Sequence, residues 1–196
     1  MHESVMAYVR MQAERYDLIG SLCLDVGSYD VNGTVRPIFE PNYKGIDIQP
    51  GPNVDQVADA EHLHREMSSQ WPLITCTEVL EHVCRPWAVL RSIRRTLEPT
   101  GHLILTARGF DEHRGAFQYH NPPDRWRFSQ EAMKILLDDT ALEILNIEPD
   151  PQVPGVFATN RYVKAPPGGT AYWFMSGTPS ITFSCAIPWK WMVCGR

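Results

Sequence analysis

The chain has 196 residues and a formal net charge of −5, with 43% hydrophobic and 21% charged residues. This length suits one well-buried core, and the composition excludes a disordered or fibrous chain. A negative net charge disfavours a protein whose main task is to hold nucleic-acid phosphates, so no nucleic-acid partner is expected. The densest basic group, Arg91, Arg94 and Arg95, has helical spacing and is interpreted as a solvated helix face.

The five cysteines have no regular spacing, so they predict neither a disulfide framework nor a metal site. No N-terminal segment has the apolar centre of a signal peptide, and no apolar run approaches the length of a membrane span. We therefore expect a cytoplasmic protein with no membrane partner and no bound metal.

Periodicity and turn residues predict the elements in chain order. Residues 3–16 have the pattern of an amphipathic helix, and residues 1–20 are expected to form a leading helix or lid. A buried strand, LCLDV, ends at Val26 and runs into Gly27. The later elements are a helix at 34–39, strands at 43–48 and 54–59, a helix at 61–67, a strand at 73–77, a helix at 86–97, a strand at 102–107, a helix after the N-cap Ser129, and strands at 142–148 and 155–163.

This alternation predicts an α/β protein with a doubly wound, mostly parallel sheet, in which ligands bind beyond the carboxyl ends of the strands. Residues 21–164 are expected to form this domain. Residues 165–196 are rich in proline, glycine and aromatic residues and are interpreted as a C-terminal extension. The extension is expected to pack either on the core or on a second copy of the chain, as a homodimer, and the sequence leaves both open.

The turn after the first strand, LDVGSYDVNG, predicts a ligand site. Glycines let the backbone approach a ligand closely, but Tyr29 stands where a diphosphate-binding turn has its middle glycine. Asp25 would repel a phosphate and suits a ligand that carries positive charge. S-adenosylmethionine has a sulfonium, an amino group and no phosphate, and therefore fits this turn better than a dinucleotide does.

Two further carboxylates follow the next strands. Asp47 closes the second strand about twenty residues after the turn, where an acidic side chain accepts hydrogen bonds from ribose hydroxyls. Asp59 ends the third strand, within reach of an adenine amino group. Carboxylates at three successive strand ends predict a site for adenosine.

Five segments in register strengthen this prediction: LDVGSYDVNG, YKGIDIQPG, VDQVADAEHL, TEVLEHV and RTLEPTGHLILTA. They resemble, in order, the motifs of the class I S-adenosylmethionine-dependent methyltransferases, and most closely the small stand-alone type 11-like branch. The resemblance covers residues 22–163. It implies a Rossmann-like, seven-stranded, mostly parallel sheet with one antiparallel strand and helices on both faces. It also implies transfer of a methyl group to an oxygen or nitrogen of a small polar acceptor, such as a sugar or other metabolite, with S-adenosylhomocysteine as product.

The resemblance implies that the turn residues form the floor and methionine end of the cofactor pocket, Asp47 the ribose contact and Ile48 the adenine neighbour. Tyr29 departs from the family pattern, which has glycine there, and this leaves the seating of the amino-acid moiety open. The full set of expected cofactor-binding residues is Asp25, Gly27, Ser28, Asn32, Gly33, Asp47, Ile48, Asp59, Ala60, Thr77 and Glu78.

The segment HNPPDRWRFS, residues 120–129, also resembles this branch and is the expected acceptor-side wall. Asp124 and Arg127 are expected to bind or orient a polar acceptor; the alternative is that they pair with each other while the aromatic residues cap the core. His82, after the fourth strand, is the first candidate for a catalytic base, and His120 is the second. The alternative for His82 is a structural hydrogen bond that shapes its loop.

Three other functions compete with the methyltransferase. A paired-carboxylate hydrolase at Glu78 and Glu81 is disfavoured because the cofactor already explains that turn. A protein that binds the cofactor without catalysis, as a regulatory or assembly partner, stays open because of Tyr29 and the extension. An NAD-linked oxidoreductase is disfavoured by Asp25 and by the missing middle glycine.

Overall fold

The structure is a computed structural model that describes residues 2–67, 70–110, 123–140 and 142–163. The predictions made for His120 and for the extension lie outside the described residues. Within those ranges, no helix has the length and apolar character needed to cross a bilayer.

The described chain alternates helices and strands much as predicted. In chain order, the helices and strands are α1 Glu3–Arg15, β1 Cys23–Val26, α2 Arg36–Phe39, β2 Tyr43–Asp47, β3 Gln56–Val57, α3 Leu63–Glu66, β4 Trp71–Thr77, α4 Pro86–Thr96, β5 Leu97–Arg108, α5 Gln130–Asp138, β6 Leu142–Pro149 and β7 Gly155–Tyr162. A 3₁₀ helix, Ala60–His62, precedes α3.

The strands form one seven-stranded sheet in the order β3-β2-β1-β4-β5-β7-β6. The pairs among β3, β2, β1, β4 and β5 are parallel, and β7 is antiparallel to both of its neighbours. The predicted mostly parallel sheet with one antiparallel strand is thus confirmed. Because β1 lies between β2 and β4, the carboxyl ends of these three strands meet at one edge of the sheet.

Helices cover both faces of the sheet, and each face has its own apolar cluster. On one face, residues of α3, α4 and α5, among them Leu63, Ile93 and Leu137, pack on β1, β4 and β5. On the other face, α1 and α2 pack on the same sheet, and the ring of Tyr8 lies 4.6 Å from that of Phe157, centroid to centroid. The predicted leading helix therefore covers the sheet as part of the core.

Two strands differ in length from the prediction. The third strand was expected at 54–59 but contains only Gln56–Val57, because the flanking aspartates bond elsewhere: Asp55 accepts from the Gly45 amide, and Asp59 caps the 3₁₀ helix. The fifth strand was expected to begin at residue 102 after a turn. It begins at Leu97, directly after α4, because Leu97 already pairs with Trp71 of β4.

Candidate functional site

The turn after β1 lies at the carboxyl edge of the sheet and requires glycine at position 27. Gly27 has φ +81°, and a Cβ there would stand 2.1 Å from Cγ2 of Val79 in the turn after β4. The amides of Gly27 and Ser28 both donate to the Ile46 carbonyl of β2, at 2.9 Å. The backbone of this turn therefore lies between β2 and β4 with no room for a side chain at position 27, and we call this turn the glycine cradle.

Asp25 lies in β1, two residues before Gly27, and its side chain is buried inside the sheet. It is 2% exposed, and its carboxylate accepts hydrogen bonds from the hydroxyls of Tyr43, at 2.6 Å, and Thr75, at 2.7 Å. Burial raises its pKa to about 6, although both hydroxyls lower it. The expectation that its charge faces a cationic ligand is therefore corrected: Asp25 joins β1 to β2 and β4.

Asp47 ends β2 beside the cradle and is half-buried. Its two carboxylate oxygens accept from the backbone amides of Tyr29, at 3.3 Å, and Gln49, at 3.1 Å. The next residue, Ile48, has a side chain that is 71% exposed at the same edge. A carboxyl group that accepts hydrogen bonds and an exposed apolar side chain thus stand side by side, at the positions predicted for ribose and adenine.

Tyr29 occupies the position where the family has glycine, and the structure shows where its ring goes. A Cβ on Gly51 would stand 2.0 Å from Cε2 of Tyr29, so the ring lies directly against that glycine. Tyr29 therefore packs the first turn onto the loop after β2. Asn32 and Gly33 lie at the exposed end of the turn, where the Gly33 amide donates to Asp30 at 2.7 Å.

Asn53 joins the two loops and has no sequence signal that predicts this role. Its side-chain nitrogen lies 2.8 Å from the Ser28 carbonyl, 2.7 Å from the Thr34 hydroxyl and 2.9 Å from the Tyr43 hydroxyl. Its side-chain oxygen accepts from the Arg36 guanidinium. One amide thus fixes the turn after β1 relative to the loop after β2.

Asp59 follows β3, as predicted, and caps the 3₁₀ helix that begins at Ala60. Its carboxylate accepts from the Glu61 amide at 2.9 Å and lies 2.9 Å from Nδ1 of His62. Partial burial raises the pKa of Asp59, but these hydrogen bonds and the charges of His62 and Arg85 outweigh it and leave the pKa below its usual value. Asp59 therefore presents an ionised carboxylate after β3, and the contact of Asp59 and Ala60 with adenine stays a prediction.

The turn after β4 carries two carboxyl groups, that of Glu78, which is partly buried, and that of Glu81, which is fully buried. Glu78 follows the buried Thr77 at φ +58°, accepts from the Thr106 hydroxyl at 3.1 Å and pairs with Arg108. Burial raises its pKa, and Arg108 and Thr106 lower it in part. Glu81 is fully buried, and within the described residues no other residue hydrogen-bonds to either of its oxygens. Burial and the nearby Glu78 raise its pKa well above the usual value.

His82, Asp124 and Arg127 form a contiguous row beside that turn. Nδ1 of His82 lies 3.0 Å from one carboxylate oxygen of Asp124, and Arg127 donates to the other oxygen at 2.6 Å. Phe128 is buried, while Trp126 is partly exposed and meets the edge of Trp87, with centroids 5.9 Å apart. The predicted alternative for Asp124 and Arg127, a pair within their own loop, is therefore present, and His82 is added to it.

The part of the chain that the structure describes contains no group of three or more His, Cys, Asp or Glu side chains placed to hold a metal ion. The carboxylates and histidines of the site are accounted for by the contacts above, apart from the oxygens of Glu81. The arrangement offers a glycine cradle, carboxylates at neighbouring strand ends and a histidine beside a carboxylate. Such a site can hold a nucleoside and remove a proton from a second ligand.

Comparisons with known proteins agree with this geometry. The sequence profile of the methyltransferase domain family matches residues 14–147. A ubiquinone biosynthesis O-methyltransferase of Pseudomonas aeruginosa (strain UCBPP-PA14) is 40% identical over 108 residues, which is 47% of each chain. One of Pseudomonas putida (strain F1) is 29% identical over 121 residues, 54% of this chain and 52% of that protein. The chain thus spans about half the length of the curated relatives it matches.

Solved structures share the fold at low sequence identity. The 1,6-didemethyltoxoflavin-N1-methyltransferase of Burkholderia thailandensis, with bound S-adenosylhomocysteine, superposes with a TM-score of 0.65 at 15% identity, over 83% of this chain and 80% of that chain. The magnesium protoporphyrin IX methyltransferase of Synechocystis PCC 6803, also with bound S-adenosylhomocysteine, has a TM-score of 0.58 at 12% identity, over 80% and 81%. The [4+2]-cyclase SpnF has a TM-score of 0.60 at 16% identity, over 82% and 81%.

The profile covers well over half of the chain, and the fold, the strand order and the cofactor of the neighbouring structures agree with the prediction from the motifs. The chain belongs to the methyltransferase domain family and has the fold of S-adenosylmethionine-dependent methyltransferases.

Proposed function

We propose that this protein transfers the methyl group of S-adenosylmethionine to an oxygen atom of a small polar acceptor. The observation that carries the proposal is the glycine-only cradle at Gly27, flanked by the strand-end carboxylates of Asp47 and Glu78. The choice of oxygen over nitrogen rests on the O-methyltransferase relatives.

The donor set of this edge fits the cofactor. Asp47 is half-buried and ionisable, so it suits two ribose hydroxyls, and the exposed side chain of Ile48 suits an adenine ring. Asp59 and Ala60 would hold the far edge of that ring. The amino-acid end would lie toward Ser28 and Glu78, since both stand at the cradle between β1 and β4. When bound, the cofactor supplies a methyl group on a positively charged sulfur, whose departure needs no acid.

Catalysis by the protein then consists mainly of placement and of removal of one proton. Holding the acceptor in line is worth roughly 7–11 kcal/mol in well-oriented reactions. A positioned base adds about a hundredfold to ten-thousandfold. His82 is the proposed base, because it borders the turn after β4 and has a carboxylate at Nδ1. Trp126 and Phe128 would exclude water from that side.

A histidine base favours a particular class of hydroxyl. An imidazole takes protons near neutral pH, and a phenolic hydroxyl ionises near pH 10, as in tyrosine. Aliphatic hydroxyls such as those of sugars ionise far less readily, so they are poorer partners for this base. The proposal therefore favours an aromatic hydroxyl over a sugar as the acceptor group.

The first test concerns the cofactor site. Asp47→Ala should weaken binding of S-adenosylhomocysteine about 10- to 100-fold, because a charge-assisted hydrogen bond contributes about 1.5–3 kcal/mol. Isothermal titration calorimetry measures the affinity. Asp138→Ala, an exposed carboxylate at the end of α5, is the matched control and should leave it unchanged. Equal affinity in Asp47→Ala and wild type would refute the assignment of Asp47.

The second test concerns the reaction. Release of S-adenosylhomocysteine is measured with catechol, a primary amine and a monosaccharide as methyl acceptors, and catechol is expected to turn over fastest. The fold alone does not decide this, since a [4+2]-cyclase shares it. Tight cofactor binding without turnover of any acceptor would favour the alternative of a cofactor-binding protein that does not transfer methyl groups.

A further inference from the structure

We infer that Asp124 is a positioning residue for His82: it keeps the imidazole proton on Nδ1, and Arg127 in turn holds Asp124. The catalytic role of Asp124 rests on the proposed function. The tautomer that Asp124 imposes on His82 does not, because the position of the imidazole proton can be measured without any acceptor. The inference replaces the expectation that Asp124 and Arg127 contact the acceptor themselves.

The three side chains differ in exposure, and His82 is the most exposed of them. The side chain of His82 is 25% exposed, that of Asp124 5% and that of Arg127 16%. Each carboxylate oxygen of Asp124 has its own partner: Nδ1 of His82 at 3.0 Å and the Arg127 guanidinium at 2.6 Å. Because both oxygens of the Asp124 carboxylate have partners, little of its surface is left to contact a methyl acceptor. His82 is the more exposed side chain and is better placed for that contact.

The backbone fixes this geometry through four hydrogen bonds between residues distant in sequence. The Glu81 carbonyl accepts from the amides of Arg125, at 2.6 Å, and Trp126, at 3.2 Å. The Arg125 side chain donates to the His82 carbonyl at 2.7 Å, and the Trp126 indole donates to the Val83 carbonyl at 2.9 Å. Residues 125 and 126, which follow Asp124, are thus hydrogen-bonded to the carbonyls of residues 81–83, on both sides of His82.

The charges around the row leave Asp124 as the carboxylate that serves His82. Glu78 is paired with Arg108, and burial, together with the nearby Glu78, raises the pKa of Glu81 well above its usual value. Arg127 is the cation that faces Asp124 from the opposite side. Asp124 is the carboxylate that the structure places against Nδ1 of His82.

This arrangement selects one tautomer of His82. A neutral imidazole has one N–H and one acceptor nitrogen, and a carboxylate can only accept. Asp124 therefore favours the proton on Nδ1, which makes Nε2 the nitrogen able to take a proton from a hydroxyl. The same logic orients the histidine in serine proteases, where an aspartate holds the imidazole in the correct tautomer and stabilises the imidazolium that forms.

Arg127 makes the inference sharply testable. Arginine has only donors, so in Asp124→Asn the amide oxygen must face Arg127 and the amide nitrogen must face His82. The nitrogen then donates to Nδ1 and moves the imidazole proton to Nε2. Nitrogen-15 NMR of the imidazole of His82, recorded near pH 8 with saturating S-adenosylhomocysteine, distinguishes the two tautomers; His82→Gln assigns the signals.

The expected result is an Nδ1–H imidazole in the wild type and an Nε2–H imidazole in Asp124→Asn. Asp139→Asn is the matched control, since Asp139 also pairs with an arginine, Arg91, and should leave His82 unchanged. In Asp124→Asn/Arg127→Gln the amide is free to turn, because glutamine both donates and accepts, so a mixture of tautomers is expected. An Nδ1–H imidazole retained in Asp124→Asn would overturn the inference.

Kinetics with catechol separate positioning from direct contact. Asp124→Asn should lower kcat about a hundredfold or more with little change in KM, and Asp124→Asn/His82→Gln should be no slower than His82→Gln. A raised KM with additive losses would show that Asp124 contacts the acceptor, and would also overturn the inference. If catechol is not methylated while the tautomer inverts as stated, the proposed function fails and the positioning role stands.

Discussion

At the residue scale, Glu81 shows how strongly burial raises the pKa of a carboxyl group. The sequence interpretation assigned its turn to the cofactor, yet the side chain is fully buried and its carboxyl oxygens receive no hydrogen bond from another described residue. Burial raises its pKa first, and the neighbouring Glu78 raises it further. The folded chain therefore holds the proton of Glu81 to higher pH than the unfolded chain does.

Glu81→Gln should make the free energy of unfolding fall less as the pH rises from 5 to 8. In the unfolded chain Glu81 ionises above about pH 4.3, whereas the folded chain keeps its proton, so the free energy of unfolding of the wild type falls as pH rises toward the raised pKa. Glutamine removes this slope, which is at most about 1.4 kcal/mol per pH unit for one group. The stability of Glu81→Gln relative to wild type should therefore increase between pH 5 and pH 8.

Urea unfolding at several pH values measures this difference. The contribution of Asp25, whose pKa is raised to about 6, is common to both proteins and cancels. Glu131→Gln, in the exposed first turn of α5, is the control and should show no such trend. Parallel stability curves for Glu81→Gln and wild type would contradict the protonated state.

At the element scale, α5 follows directly on the segment that holds Asp124. Ser129 was predicted as its N-cap, and its hydroxyl accepts from the Ala132 amide at 3.1 Å with extended backbone at the cap. Met133 and Leu137 of the same helix are buried against the sheet. The cap and the buried face together fix where the preceding segment ends.

Ser129→Ala should lower the free energy of unfolding by about 1 kcal/mol, because the hydroxyl satisfies an otherwise unpaired amide at the helix start. Urea denaturation measures it. Ser129→Asp keeps a hydrogen-bond acceptor at the N-cap, so its free energy of unfolding should fall much less. If alanine and aspartate destabilise equally, the loss does not come from capping.

At the scale of the whole molecule, the proposed cofactor site lies at the ends of three adjacent strands rather than in one segment. The turn after β1, the end of β2 and the turn after β4 touch each other through Gly27, Ile46 and Val79. A ligand bound to this edge therefore stabilises the fold globally, because it binds the folded sheet and not the unfolded chain.

S-adenosylhomocysteine at about a hundredfold its Kd should raise the free energy of unfolding by about 2.7 kcal/mol, and the Tm by about 5–10 °C. Differential scanning fluorimetry measures the shift. NAD at the same concentration is the control for the rival dinucleotide function and should give none. A shift with NAD in place of S-adenosylhomocysteine would overturn the cofactor assignment.

Much of the fold was predictable because its signals are local. Hydrophobic periodicity and the glycine and proline positions depend on neighbours in sequence, so the strands, the helices and the cap at Ser129 were found with small errors at their ends. The need for glycine at position 27 was predicted for the same reason. The third strand was predicted too long because Asp55 and Asp59, which flank it, bond to groups outside the strand.

The sequence by itself determined the family, the parallel sheet and the strand ends at which the predicted cofactor-binding residues stand. Only the tertiary structure decided which partners those residues have. Asp25 faces inward because its register places it beside Thr75, and Asn53 links two loops that approach only in the folded sheet. His82 meets Asp124 because the segment after β5 docks on the turn after β4. Such contacts depend on register and packing between distant segments, and no local pattern encodes them.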